Sequence, residues 1–86
     1  MPEISRFFGI VIKMYIDDHP PPHFHVEYSE HRAIVGIRTL VVIDGYLPSR
    51  VLGLVVEWAS QHQDELLDLW ERASAYQPLY RVAPLE

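Results

Sequence analysis

The first half of the chain alternates between apolar and polar positions and predicts β-strands. Residues 6–16 are rich in β-branched and aromatic side chains, which indicates one long strand. Its core face takes every second residue, namely Phe8, Ile10, Ile12, Met14 and Ile16. Gly9 interrupts the opposite face and is typical of a bulge or a close backbone approach. Residues 32–37 and 40–43 predict two further strands, and Asp44-Gly45 predicts a turn after the last one.

Residues 23–29 predict the strand that carries the most chemistry. Its period of two places His23, His25 and Glu27 on one face. The other face takes Phe24, Val26 and Tyr28. Residues 20–22 are three successive prolines, which lack N–H donors and favour an extended path. The proline run therefore separates this strand from the one before it.

The second half of the chain switches to helical spacing. Ser49 is a suitable N-cap, and an apolar stripe runs from Val51 to Ala73 through Val55, Trp58, His62, Leu66 and Leu69. A straight helix over residues 49–75 is about 40 Å long, whereas a compact domain of this size has a radius of gyration of about 12 Å. Residues 60–64 are the weakest helical stretch, so we place any kink there.

These elements predict a single α+β domain over residues 1–86. Antiparallel strands, about four of them, occupy residues 5–45 and form one sheet. One long C-terminal helix, straight or kinked, packs on one face of that sheet. Residues 77–86 contain enough apolar side chains to form a tail that docks on the body.

The composition indicates a reducing compartment of the cell. The chain has no cysteine, which excludes a disulfide scaffold, cysteine-ligated zinc and a thiol nucleophile. The sequence shows no pattern of a signal peptide, and its longest apolar run is far too short to cross a bilayer. We therefore expect a cytoplasmic protein with no membrane partner.

The net charge of −5 is unevenly distributed. Residues 1–40 hold four basic and five acidic side chains, which leaves −1 there and −4 in the remaining residues. An acidic domain is a poor match for nucleic acid, although the near-neutral sheet half leaves RNA as an alternative partner. The acidic helix half suits water or a basic protein, so a small partner protein is the first expectation. The oligomeric state does not follow from the sequence.

The main candidate for chemistry is the segment that contains His19, His23 and His25. Two histidines on one strand face can ligate one metal ion, with Glu27 on the same face and Asp17 or Asp18 close by in the loop. The three histidines are therefore candidate ligands of a divalent metal. The alternative is a strand whose solvent face is simply polar, with one histidine packed on prolines.

The same histidines suit proton transfer at neutral pH. His23 and His25 are candidate catalytic residues, acting as general acid and base in metal-free RNA cleavage. Arg6, Lys13 or Arg32 would then stabilise the developing charge. The chain has no nucleophile elbow and no glycine-rich phosphate loop. Whether it is an enzyme stays open at this point.

Three stretches of the chain resemble a bacterial family known as domain of unknown function 4160. They are the start at residues 1–15, the Asp-His-Pro-Pro-Pro-His-Phe-His-Val segment at 18–26, and residues 45–70. The resemblance implies a short stand-alone protein, often encoded beside another small uncharacterised protein, as in a toxin–antitoxin module. It assigns no activity, and it draws attention to His19, His23 and His25.

Three functions follow, in order. The first is an interaction component of a two-protein, toxin–antitoxin-like module. The second is a ribonuclease toxin that uses His23 and His25. The third is a regulatory module that binds a divalent metal through His19, His23 and His25.

Overall fold

The protein folds as five strands followed by two helices. The structure, a computed structural model, describes residues 3–86. The elements are β1 (Glu3–Phe7), β2 (Ile10–Lys13), β3 (His23–Tyr28), β4 (His31–Gly36), β5 (Val42–Gly45), α1 (Ser49–Ser60) and α2 (Gln63–Ser74). Each strand pairs antiparallel with the next, in the order β1-β2-β3-β4-β5. The predicted α+β class and the antiparallel sheet are confirmed.

The predicted number of strands was one too low, because residues 6–16 form a hairpin and not one strand. Phe7 pairs with Ile10, and the two residues between them have φ of 51° at Phe8 and 79° at Gly9. Positive φ at both central residues is the geometry of a tight hairpin turn. Phe7 is buried and Phe8 is 62% exposed. The chain reversal therefore places Phe8 outside the core, although the sequence predicted it on the core face, and Ile16 of that predicted face is also exposed.

The last strand lies further along the chain than the predicted residues 40–43. Leu40 has a φ of 57° and belongs to the connection, so β5 begins at Val42. The predicted turn at Asp44-Gly45 is instead the end of the strand. Gly45 packs so closely on β4 that a Cβ there would lie 2.2 Å from the carbonyl oxygen of Arg32.

The prediction of one long helix was also wrong, because two helices form. The break between them lies within residues 60–64, where the sequence placed any kink. Gln61 and His62 donate their backbone N–H groups three residues back, to Trp58 and Ala59, and His62 leaves the helical region with φ −133°. Each 12-residue helix is about 18 Å long, which fits a domain measuring 33 × 25 × 22 Å. Pro48, not Ser49, occupies the N-cap position of α1. No helix within residues 3–86 is long and apolar enough to cross a membrane.

The core lies between one sheet face and the two helices. Phe24 and Val26 of β3 are fully buried, on the face opposite to His25. Trp58 of α1 is also fully buried, and its ring centroid lies 5.4 Å from Phe7 and 5.9 Å from Phe24. Within residues 3–86, no helix covers the other face of the sheet. It carries the polar residues of β2, β3 and β4, and it is called the open face below.

The C-terminal tail covers one edge of the sheet and leaves the other edge free. Val82 donates its backbone N–H to the carbonyl of Ile4 in β1 at 2.7 Å, and Trp58 Nε1 donates to the carbonyl of Ala83 at 2.8 Å. At the opposite edge, β5 and its flanks expose Val41, Ile43 and Tyr46. The domain thus has one edge closed by its own tail and one edge open.

An ion pair on the closed edge predicts acid sensitivity. The carboxylate of Glu3 lies 2.8 Å from Arg6 and 3.1 Å from Arg81, and these guanidinium groups lower the Glu3 pKa to about 2. A lowered folded-state pKa stabilises the fold above pH 4.5 and loses that contribution as the pH falls towards 2. We expect Glu3→Gln to lower the melting temperature at pH 7 but not at pH 2. A deficit that persists unchanged at pH 2 would contradict this assignment.

Candidate metal centre

Asp18, His23 and His25 converge where the proline loop meets β3. One ligand atom from each lies within 4.8 Å of the other two. The loop is fixed at both ends, because Asp17 donates its N–H to the carbonyl of Ala73 in α2, and Ile37 donates to the carbonyl of Pro22. These bonds bring Asp18 over the first residues of β3. Contacts with Ala73 and Ile37, which are distant in the sequence, therefore hold the cluster together.

The His23 ring is held in one orientation. It is 7% exposed, and its centroid lies 5.0 Å from that of Trp70 in α2. Nδ1 lies 2.8 Å from the carbonyl oxygen of Pro21, which can only accept, so Nδ1 carries a proton and donates it. In the neutral ring Nε2 then presents a lone pair, and it faces Asp18 Oδ2 at 2.9 Å. This short contact therefore needs a proton between the two atoms or a cation.

Asp18 is the centre of the cluster. Its Oδ2 lies 2.9 Å from Nε2 of His23 and 2.9 Å from Nε2 of His25, while Oδ1 accepts the backbone N–H of His19 at 2.8 Å. Partial burial raises the pKa of this carboxyl. The hydrogen bonds from His25, from the His19 backbone and from His23 outweigh that effect and bring the pKa to about 2. Asp18 is therefore an ionised carboxylate at neutral pH.

His25 forms the more accessible side of the cluster. Its ring packs edge-on against Tyr15, with centroids 4.6 Å apart. The side chains of His25 and Asp18 are 25% and 23% exposed, against 8% for His23. The cluster is thus closed on the side of His23 and Trp70 and open on the side of His25.

The spacing of these atoms suits a transition-metal ion. Two donors about 2.1 Å from a metal lie about 3.0 Å apart at an octahedral angle and about 3.4 Å apart at a tetrahedral one, so the 2.9 Å between Asp18 Oδ2 and each Nε2 needs only a small adjustment for either. Ligating histidines usually donate their second ring N–H to a carbonyl or carboxylate, as His23 does to Pro21. Two imidazoles and one carboxylate form a ligand set of several divalent metal sites.

The predicted histidines do not all meet. The structure brings His23 and His25 together, but the third member of the group is Asp18 and not the ring of His19. His19 is exposed and contributes its backbone N–H to Asp18. Glu27 is turned to Lys13, with Nζ 3.0 Å from Oε2. His62 packs on Trp58 and lies 2.6 Å from Glu65, outside the group.

The acid–base interpretation of His23 and His25 stays a prediction. A general acid or base needs a ring nitrogen that can reach a substrate. Both ring nitrogens of His23 are engaged, by Pro21 and by Asp18, and both histidines contact the same carboxylate oxygen. The geometry favours a metal site over an acid–base pair.

Comparison with known proteins gives a family but no assigned activity. No curated protein and no solved structure matches this chain. A family model described as a domain of unknown function, DUF4160, matches residues 9–71, well over half of the 86 residues. That match includes Asp18, His23 and His25, the proline loop, all of α1 and most of α2. The chain therefore belongs to the DUF4160 family.

Proposed function

We propose that this domain binds a divalent transition-metal ion through Asp18, His23 and His25. The observation that carries the proposal is the His23 ring. Its Nδ1 donates to the Pro21 carbonyl, so in the neutral ring the Nε2 lone pair faces a carboxylate oxygen at 2.9 Å. A metal ion between the three ligand atoms takes the place of a proton there, and it removes the repulsion between the carboxylate and the lone pairs of neutral rings. The Pro21 carbonyl and the His19 N–H then act as the groups that orient the ligands.

The donor types define the class of metal. Imidazole nitrogens suit Zn²⁺, Ni²⁺, Fe²⁺ and Cu²⁺, whereas Mg²⁺ and Ca²⁺ prefer oxygen donors. Three protein ligands leave at least one coordination position for water or another molecule. A purely structural zinc site instead has four protein ligands. The site therefore suits a metal that exchanges or binds a further ligand.

Isothermal titration of the full chain, prepared without a polyhistidine tag, tests the proposal. We expect Zn²⁺ and Ni²⁺ to bind with one ion per chain, and Mg²⁺ to give no saturable heat. Because the His23 ring packs on Trp70, Zn²⁺ is also expected to change the tryptophan fluorescence. Absence of binding at micromolar Zn²⁺, or equal binding of Mg²⁺, would contradict the proposal.

A second candidate function is the interaction component of a two-protein, toxin–antitoxin-like module. The observation that favours it is the open edge at β5. Val41, Ile43 and Tyr46 are 59%, 49% and 63% exposed there, and a free strand edge is a ready surface for strand addition. The tail closes the other edge, so a small partner protein would bind at β5.

Co-expression with the product of the neighbouring gene tests this candidate. We expect the two proteins to co-elute in size exclusion, and Ile43→Lys to separate them. Val11→Lys, on the open face and away from β5, is the matched control. Separate elution of the unchanged proteins would contradict the interaction.

The ribonuclease alternative has less support, because His23 has no free ring nitrogen. It predicts that expression arrests growth and that His23→Ala or His25→Ala relieves the arrest. Unchanged toxicity in both variants would end this hypothesis.

A further inference from the structure

We infer that the bound ion and Arg32 together hold a small molecule with two oxyanion groups, such as a dicarboxylate, on the open face of the sheet. This inference rests on the metal binding proposed above and names the ligand class of the same site. One oxyanion completes the coordination of the metal, and the other pairs with the guanidinium of Arg32.

The open face contains a cleft that begins at His25. The cleft has a volume of about 370 Å³, and its polar lining consists of Tyr15, His25, Glu27, Arg32 and Asp44. His25 belongs both to the ligand cluster and to the wall of this cleft. A cleft of this size is large enough for a small organic molecule.

The cluster adjoins this cleft through the more accessible of its two histidines, His25. His23 and Trp70 close the cluster towards α2, whereas the His25 and Asp18 side chains keep about a quarter of their surface exposed. A divalent ion held by a single carboxylate retains one net positive charge. The remaining coordination positions therefore attract an anionic donor from the solvent side.

Arg32 lies at a distance from His25 that a small ligand with two anionic ends can span. His25 pairs with Ile34 of β4, and Arg32 is two residues before Ile34, which makes it a diagonal neighbour of His25 at about 7–8 Å. Within residues 3–86 the Arg32 guanidinium forms no ion pair. A guanidinium is well suited to a carboxylate or phosphate, because its parallel N–H groups match two oxygens.

The two acidic residues of the cleft restrict the ligand and do not exclude it. The Glu27 carboxylate is neutralised by Lys13 at 3.0 Å. Asp44 pairs with Ile34, so it lies two strands from His25, or about 10 Å. Its carboxylate accepts the backbone N–H of Gly45 at 2.9 Å. An anion is therefore favoured between His25 and Arg32 and disfavoured beyond them, which selects a short ligand.

The test uses the full chain loaded with Co²⁺, whose visible absorption reports its coordination. Succinate is the probe, and acetate is the one-ended control. We expect succinate to change the Co²⁺ spectrum saturably, and Arg32→Met to weaken succinate binding about 10- to 100-fold without changing Co²⁺ affinity. Arg38→Met, an exposed arginine outside this cleft, is expected to bind succinate as the unchanged protein does.

The outcomes separate this inference from the proposed function. Failure of Co²⁺ to bind contradicts the metal site itself. Co²⁺ binding without a spectral response to succinate overturns only the ligand inference. Equal losses in the two arginine variants, or acetate binding as tightly as succinate, overturn it as well.

Discussion

Replacing His23 by alanine is expected to weaken Zn²⁺ binding by at least about 100-fold, because even groups that only orient ligands contribute about 10- to 100-fold. His19→Ala is expected to leave the affinity within about twofold, since only the backbone N–H of His19 contacts the cluster. Both are histidine-to-alanine changes in one short loop and strand. Competition with a chromophoric zinc chelator measures both affinities on the same scale.

Two further variants guard against a loss of folding in His23→Ala. Asp18→Asn keeps the shape of the side chain but removes the charge, and His25→Ala removes a half-buried ring. We expect both to lose Zn²⁺ affinity at an unchanged far-ultraviolet spectrum. Equal affinities for the His19 and His23 variants would show that the metal is bound elsewhere.

Gly45→Ala is expected to destabilise the domain by about 3 kcal/mol or more. Gly45 has a φ of 83°, and its missing Cβ would lie 2.2 Å from the Arg32 carbonyl oxygen and 2.8 Å from Ala33 Cα. Both neighbours are backbone atoms of β4 and have no side-chain freedom to move away. The melting temperature is expected to fall by about 12 °C or more, as measured by circular dichroism.

Gly53→Ala is the matched control for that substitution. Gly53 lies in the middle of α1, and a Cβ there has no neighbour within 4 Å. Alanine in a helix interior is about 0.5–1 kcal/mol more stable than glycine. We therefore expect opposite signs for the same chemical change at two positions. A similar melting temperature for both variants would contradict the close packing of β5 on β4.

Much of the sheet could be predicted from local patterns. The alternation in residues 23–28 identified β3 and its two faces, because Phe24 and Val26 are buried whereas His25 and Glu27 are only partly buried. His23 departs from this pattern, since it is buried against Trp70. The β1–β2 hairpin could not be predicted in the same way. Its turn residues are Phe8 and Gly9, and a large apolar residue at a left-handed position gives no turn signal.

The candidate site could be predicted only in part. Side chains alternate along a strand, so the sequence alone placed His23 and His25 on one face of β3. The third residue depended on the path of the loop, which is fixed by Asp17 bonding to Ala73 in α2 and Pro22 bonding to Ile37. Such contacts between distant residues produce no periodic pattern in the sequence. The choice between the ring of His19 and the carboxylate of Asp18 was therefore beyond the sequence.

The helix break shows the same limit. The apolar stripe continues through Trp58, His62 and Leu66, so periodicity alone indicates one helix. Ser60, His62 and Asp64 are weaker helix formers than the leucines around them, which located the weak point. Whether the chain bends or breaks there depends on the packing of both halves on a sheet too short for a straight helix.

The most direct test of the central claim is a crystal of the full chain soaked in Zn²⁺ and measured at the zinc absorption edge. The account predicts one anomalous peak per chain, about 2.0–2.2 Å from Asp18 Oδ2 and from Nε2 of His23 and His25. The Nδ1 atom of His23 should keep its hydrogen bond to the Pro21 carbonyl. A peak at His19 or His31, or no peak at Asp18, would contradict the account.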